Sequence, residues 1–481
     1  MGRKKSDSTI LAARIGFFLG LAFLAITIIF PAPAGMSETA WSVAGLALLM
    51  AAWWSTDAVP IPVTSLLPIV LVPALGVGTV GQATQPYANP LIFLFLGGFL
   101  LGLAMQRWNL HRRIALQILL SVGTSPMRQI AGFMLATGFL SMWVSNTATA
   151  IMMLPIGLSV VAVFSQAKPE QQQKFATALL LAIAYSASIG GVATLIGTPP
   201  NALLAGYLQE TKGITIGFAQ WMMVGLPISI VMMAIAWWWL TRGGFDLGNL
   251  EGGTETIKDE MRKLGSFSVT EQRVMIVFVL TALAWILRPL FEDLAPWLND
   301  TSIAIAAGVI LFIIPAESKG RVFLLDWKSA ECLPWGVLLL FGGGLTLAGV
   351  IQSSGLAAWI ADSLALFGVL PVLLMIFVIV AVIVFLTEVT SNTATAAAFL
   401  PLIGALAVGQ DISPLLMTVP AAIAASCAFM MPVATPPNAI VFGSGHLRIQ
   451  SMIRAGFALN IASIILVTLL AYFLVMWFWM A

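Results

Sequence analysis

The chain reads as an all-α polytopic membrane protein of about eleven transmembrane helices plus two re-entrant hairpins, arranged as an inverted-topology repeat. Three observations carry that reading. Residues of the AVILMFWYC set fill 60% of 481 positions and charged residues 9%, where a soluble domain carries about 25%. Apolar stretches near the ~20 residues a helix needs to cross hydrocarbon recur from Ile10 to the C-terminus. A polar phrase, Ser145-Asn146-Thr147-Ala148-Thr149 with Pro155 beyond it, returns as Ser391-Asn392-Thr393-Ala394-Thr395 with Pro401. Both copies lie in apolar sequence, where adjacent polar side chains are costly unless they bind a ligand or one another.

The first crossing spans 10–30. A basic start, an apolar run and Ala32-Pro33-Ala34-Gly35 resemble a signal peptide, but the run is as long as a full crossing and further helices follow. Met1-Gly2 with Ser6 fits a myristoylation pattern and is read as chance. Crossings follow at 37–55, 60–79 and 90–106, then a segment at 126–165 that turns back, then crossings at 178–208 and 216–241. The hydrophilic stretch from Thr241 to Arg273 is the seam between halves, with a short amphipathic helix expected at Thr256–Leu264 and no room for a soluble enzymatic domain. The second half gives crossings at 273–290, 301–315 and 333–351, a second turned-back segment at 369–408, and crossings at 414–443 and 455–479.

Charge distribution fixes the threading. Lys and Arg favour cytoplasmic loops. With the N-terminus inside and both turned-back segments re-entrant, 20 of the 22 basic residues fall inside, from Arg3, Lys4 and Lys5 through Arg112, Arg113, Lys319 and Arg321 to Arg454. Only Lys212 and Arg288 fall outside, and the C-terminus is periplasmic or extracellular. Single crossings at 126–165 and 369–408 would destroy that asymmetry. The net charge of +2 says nothing about a partner; no nucleic-acid partner is expected, and the lipid bilayer is the partner that composition requires.

The internal repeat is measurable. Ser145 to Ser391 and Pro155 to Pro401 are both 246 residues, and the same offset carries Phe95-Leu96-Gly97-Gly98 onto Phe341-Gly342-Gly343-Gly344. Gly197-Thr198-Pro199-Pro200-Asn201-Ala202 matches Ala434-Thr435-Pro436-Pro437-Asn438-Ala439 at 237, the difference being absorbed by the loop Gln166–Lys174. Each repeat holds five crossings, an odd number, so the two enter the membrane from opposite faces.

Ser, Asn and Thr favour helix caps, and half-helices ending in mid-membrane leave backbone groups open. The phrases therefore either cap their hairpins or present oxygens to a small cation, with half-helix N-termini facing an anion. Pro199-Pro200 and Pro436-Pro437 remove backbone donors and break their helices, either as plain kinks or to free carbonyls at Gly197 and Ala434 for a hard cation such as Na+. Recurrence of both features, pairwise, points to binding. No Lys or Arg occurs in any of the four motifs, so an anion bound there would need cations as partners.

Other residues carry less. Cys332 and Cys427 are read as apolar fillers in different helices, and His111 and His446 as solvated in cytoplasmic loops. The 16 Trp are read as mostly interfacial anchors, and the Gly97-Gly98 and Gly342–Gly344 runs as close-packing sites. Neither a basic pore ring nor a nucleophile–base set is present, which argues against a channel and an enzyme.

The paired Ser-Asn-Thr phrases, the paired Thr-Pro-Pro-Asn breaks and Trp53-Trp54 leading to Pro60-Ile61-Pro62 make the chain resemble the divalent anion/sodium symporter family over nearly its whole length. That resemblance implies an elevator-type homodimer carrying dicarboxylates, tricarboxylates or sulfate. It implies scaffold at 1–125 and 273–368, transport domain at 126–241 and 369–481, and a cytoplasmic linker at 242–272. A first Na+ site would use Ser141, Ser145, Asn146 and the Gly197 carbonyl; a second, Thr387, the Thr390 backbone, Asn392 and the Ala434 carbonyl. Substrate would meet Asn146, Thr147, Thr198 and Pro199 from one half, and Asn392, Thr393, Thr435 and Pro436 from the other. The motifs fit import of a C4-dicarboxylate by Na+ symport across the cell membrane, with Na+ as the co-transported ion and no organic cofactor. A sodium-independent exchanger, or a citrate or sulfate carrier, is the alternative. Glu388, beside Thr387, has no counterpart, since Met142 holds the matching position; it is either structural or an adjustment of cation affinity.

Overall fold

The computed structural model describes residues 7–123, 125–163, 168–247, 251–317, 322–365 and 371–480. Arg3, Lys4, Lys5, Lys319 and Arg321, the Met1-Gly2…Ser6 pattern, and Gln166 and Ala167 of the connecting loop lie outside these residues. Among the described residues the regular structure is helical, with one isolated antiparallel bridge between Pro315 and Phe323.

Nine described helices are long and apolar enough to cross a membrane, from Ile10–Ile29 to Ile449–Trp479, and the protein is multi-pass. Two of the nine, Asn146–Val163 and Asn392–Gly409, begin at the repeated phrases. Two of the expected crossings are shorter. Pro60, Pro62, Pro68 and Pro73 cut 60–79 into Ile61–Thr64 and Leu67–Ala74. Asp300–Ile313 is 14 residues, about 21 Å at ~1.5 Å per residue.

The repeat reaches the helix boundaries. Pro126–Ser141 and Asn146–Val163 form a first contacting helix pair; Val372–Thr387 and Asn392–Gly409 form a second, every boundary displaced by 246 residues. The stretch 178–208 is two helices, Pro169–Val192 and Pro199–Lys212, interrupted at 193–198. Likewise 414–443 gives Pro414–Ala424 and Pro436–Phe442.

The halves also exchange contacts. Gly97, in Pro90–Arg107, packs so closely on Ala304 that an added Cβ would lie 2.5 Å from the Ala304 carbonyl oxygen. Its repeat mate Gly343, in Trp335–Ser353, meets Ser65, with a Cβ 2.3 Å from that carbonyl oxygen. Ser65 and Ala304 are themselves matched, because the segments 61–74 and 300–313 correspond at an offset of 239. Each half thus packs its glycine helix on the short helix of the other, which is the close packing the Gly runs predict.

Outside the membrane spans, the linker helix Glu251–Leu264 is longer than the expected Thr256–Leu264. Glu255, Asp259 and Glu260 pair with Lys258, Arg262 and Lys263 along its exposed side, and Ile257 is buried. Arg112 pairs with Glu260. Buried Arg113 pairs with Glu271 at 2.7 Å and donates to the Gly265 and Ser266 carbonyls, each 3.2 Å, fastening the helix Leu110–Val122 to the end of the linker.

Three readings are corrected. His111 is buried, with Nδ1 3.0 Å from the Met105 carbonyl. Burial lowers its pKa against that carbonyl's opposing pull, and Arg112 lowers it further. Cys332 is exposed, and both cysteines lie between helices, Cys427 fully buried. The expectation that Trp residues are mostly interfacial leaves room for exceptions. Trp54, Trp221 and Trp285 are fully buried because their indole N–H groups find acceptors at Ser65 Oγ (3.2 Å), the Val192 carbonyl (2.9 Å) and the Asp300 carbonyl (3.0 Å).

The crossed packing makes a paired prediction on one helix. Gly343→Ala should cost about 1–3 kcal/mol by overpacking against Ser65. Gly349→Ala, where a Cβ meets nothing within 4 Å, should be neutral or stabilising by about 0.5–1 kcal/mol. Thermal denaturation in detergent checks both.

Candidate functional site

Each helix pair turns at its phrase. Ser141 ends Pro126–Ser141 and Asn146 begins Asn146–Val163, so four intervening residues bring the two side chains together. Ser141 Oγ lies 2.5 Å from the Asn146 side-chain amide and 2.6 Å from the Ala187 carbonyl, in Pro169–Val192. The same end of the Asn146 amide lies 3.2 Å from the Ala187 carbonyl and 3.3 Å from the Gly197 carbonyl. With its nitrogen there, the orientation its neighbours favour, Asn146 donates to both carbonyls and to Ser141 Oγ; turned over, its oxygen would face those three oxygens.

The second copy repeats the arrangement. Thr387 Oγ1 lies 2.7 Å from Asn392 Oδ1 and 2.9 Å from the Ala425 carbonyl. A hydroxyl has a single proton, yet Thr387 faces two acceptors, as Ser141 does when the Asn146 oxygen is turned inward. Oxygens in excess of protons, as at Thr387 and at Ser141 with the Asn146 oxygen inward, suit a hard cation, whose positive charge would satisfy the spare lone pairs. Ser141, Asn146, Thr387 and Asn392 are thus placed in the clusters, with Gly197 supplying its carbonyl.

Other expected ligands sit differently. Ser145 is exposed, and its hydroxyl caps the second arm by accepting from Ala148 N at 3.3 Å. Thr390 Oγ1 is taken up by the Leu386 carbonyl (2.9 Å) and Thr395 Oγ1 (2.6 Å), which leaves its main chain for the role expected of it. Ala434 is buried in the second interruption, its N–H bonded to the Met431 carbonyl at 3.2 Å.

The breaks are held by the asparagine of each Thr-Pro-Pro-Asn motif. Asn201 Nδ2 donates to the Gly191 carbonyl at 3.2 Å and the Thr194 carbonyl at 2.8 Å. Asn438 Nδ2 donates to the matching carbonyls of Ala428 (3.2 Å) and Met431 (3.0 Å). Helix interruption orphans carbonyls, and these amides satisfy them. A glycine is required at 197, since a Cβ there would lie 2.4 Å from the Gly191 carbonyl oxygen. Sequence reading quoted Asn201 and Asn438 without giving them this role. It missed Ala187 and Ala425 outright, because a main-chain carbonyl leaves no mark on residue type.

The motifs of the two halves interleave. Asn146–Val163 contacts Pro436–Phe442, and Asn392–Gly409 contacts Pro199–Lys212. Thr198 and Thr435 are buried, Asn146, Thr147, Pro199, Asn392 and Thr393 are half-buried, and Pro436 is exposed. The Thr435 hydroxyl accepts from Asn438 N at 3.3 Å. Two cavities of about 330 and 310 Å3 lie elsewhere, one beside Arg112 and Glu260 and the other beside Glu210 and Thr346.

Comparison with known proteins follows this geometry. The chain is 44% identical over 486 residues to the sodium-dependent dicarboxylate transporter SdcS of Staphylococcus saprophyticus subsp. saprophyticus, covering 98% of this chain and 93% of that protein. It is 46% identical to the protein of the same name from Staphylococcus aureus (strain MRSA252), covering 98% and 92%. Among solved structures, Neisseria gonorrhoeae MtrF superposes with a TM-score of 0.59 at 13% identity, covering 99% of this chain and 96% of MtrF. The Alcanivorax borkumensis YdaH transporter gives 0.56 at 15%, covering 97% and 99%. At those identities the likeness is one of fold. The family described as the sodium:sulfate symporter transmembrane region matches residues 12–481, and the chain belongs to that family.

Proposed function

We propose that this protein is a secondary active transporter, not an enzyme, importing a C4-dicarboxylate of the succinate, malate or fumarate class by Na+ symport. The observation that carries the reading is the doubled oxygen cluster: Ser141, Asn146 and the Ala187 and Gly197 carbonyls in one half, Thr387, Asn392 and the Ala425 carbonyl in the other. Relatives named sodium-dependent dicarboxylate transporters support the choice of ion and of anion class.

Each cluster would bind one Na+, with Ser145, Thr390 and Ala434 contributing main-chain oxygens. The anion would lie between the Asn146, Thr147, Thr198 and Pro199 edge and the Asn392, Thr393, Thr435 and Pro436 edge. Three helices of eight or more residues begin at these motifs, and their N-terminal dipole ends favour negative charge by roughly half a unit each. Ser391 makes no side-chain cap bond, which leaves N–H groups of its helix for a ligand. No Lys or Arg stands in the four motifs, so bound Na+ would supply the remaining positive charge.

In the membrane, the two helix pairs would be re-entrant within eleven crossings, with the N-terminus cytoplasmic. Identical helix boundaries at 246 and the exchanged glycine contacts support an inverted repeat. The interleaved segments 126–241 and 369–481 would form the moving domain, and 1–125 with 273–368 the scaffold of an elevator-type homodimer.

Two outcomes test this reading. Replacing Na+ by K+ or choline should abolish labelled succinate uptake into proteoliposomes; undiminished uptake in choline, dependent on an internal counter-anion, would favour an exchanger. Ser141→Ala and Thr387→Ala should each raise the Na+ concentration for half-maximal uptake by about 10–100-fold, as loss of one buried polar ligand predicts, whereas Thr387→Ser should restore it. Competition of succinate uptake by citrate, malate, 2-oxoglutarate and sulfate then assigns the anion.

A further inference from the structure

We propose that Glu388 is a positioning residue that makes the two cation clusters unequal, the second binding Na+ more tightly and filling first. The inference rests on the reading of the clusters as Na+ sites.

The matched turns 141–146 and 387–392 differ at four pairs of positions, Ser141/Thr387, Met142/Glu388, Trp143/Val389 and Val144/Thr390, and only Met142/Glu388 brings in an ionisable side chain. Met142 and Glu388 are each the residue after the first arm, with the same backbone, φ −65° and ψ −27°. Backbone geometry therefore does not explain their different side chains. In the first half the turn is tied to the broken helix by the Thr194 hydroxyl, which donates to the Met142 carbonyl at 2.6 Å. The residue matching Thr194 at an offset of 237 is Met431, which has no hydroxyl.

In the second half the tie runs the other way. The Glu388 carboxylate accepts from the backbone N–H groups of Phe429 (2.7 Å), Met430 (2.9 Å) and Met431 (2.8 Å). It also accepts from Asn460 Nδ2 at 2.7 Å, in Ile449–Trp479. So the pair Met142/Thr194 is replaced by Glu388/Met431, and a neutral tie becomes a charged one.

Both carboxylate oxygens act only as acceptors, as an ionised group does. Glu388 and Asn460 are buried, and no Lys, Arg or His pairs with the carboxylate among the described residues. A buried charge held only by dipoles keeps its field. Glu388 adjoins Thr387, whose hydroxyl belongs to the second cluster. It also holds the N–H groups of the segment whose carbonyls, at Ala428 and Met431, are gripped by Asn438. The first cluster has neither the charge nor this double grip.

The test is Na+ titration of succinate uptake by proteoliposomes. Glu388→Gln should raise the Na+ half-saturation about tenfold, while the succinate KM at saturating Na+ stays within about threefold. Glu388→Asp, which keeps the charge, should return Na+ half-saturation to within about threefold of the unmodified protein. A purely structural role would lower unfolding temperature in both variants without separating them; equal Na+ half-saturation in the two therefore overturns the proposal. If Glu388→Gln does not fold, the Na+ dependence of thermal unfolding in Ser141→Ala and Thr387→Ala decides. Ser141→Ala, which keeps the second cluster, should be stabilised at about tenfold lower Na+ than Thr387→Ala, and equal midpoints overturn it. Succinate uptake by the unmodified protein in choline would instead overturn the Na+ reading on which the inference rests.

Discussion

Desolvation of a doubly charged anion is the constraint on which the rest of this structure depends. Burying a dianion at membrane depth without counter-charge is prohibitive, and this chain offers no basic side chain in any motif that could meet it. What it offers instead is oxygen. The Thr387 cluster sets one hydroxyl proton against two acceptors, and the Ser141 cluster does the same when the Asn146 amide turns its oxygen inward, an arrangement that is unfavourable empty and favourable around a cation. If the clusters hold Na+ beside the anion as proposed, coupling between the two follows from electrostatics and is reciprocal.

The fold serves that chemistry by opening backbone where an intact helix would have hidden it. Proline pairs interrupt two helices, and the asparagine two residues after the first proline takes up the carbonyls that interruption exposes. Glycine then permits the contact distances: Gly197 sits against Gly191, and Gly97 and Gly343 bring their helices onto the short helices of the opposite half. The halves are therefore interlocked both at the site and away from it. The Glu388 tie shows that equivalent positions in a duplicated fold need not carry equal charge.

Much of this was legible because duplication writes the same polar residues twice. Ser141 with Thr387, Asn146 with Asn392, and the two Thr-Pro-Pro-Asn breaks stand at constant offsets, and the structure places matched residues in matched clusters. Main-chain contributions were illegible: Ala187 and Ala425 supply carbonyls under apolar names. Buried rings that rely on main-chain acceptors were illegible for the same reason. His111 faces the Met105 carbonyl six residues upstream and Trp221 donates to the Val192 carbonyl 29 residues away, and neither acceptor shows in residue type. The segment 60–79 was read as one helix although its prolines signalled the interruption.

Equilibrium binding of succinate to the purified protein, by calorimetry over a range of Na+ at constant ionic strength, tests the central claim most directly. If the oxygen clusters supply the missing counter-charge only when occupied, the succinate Kd should fall steeply as Na+ rises, by about tenfold or more for a coupling of roughly 1.4 kcal/mol or above. Binding should then be undetectable in choline. A succinate Kd that is the same in Na+ and in choline would contradict the account.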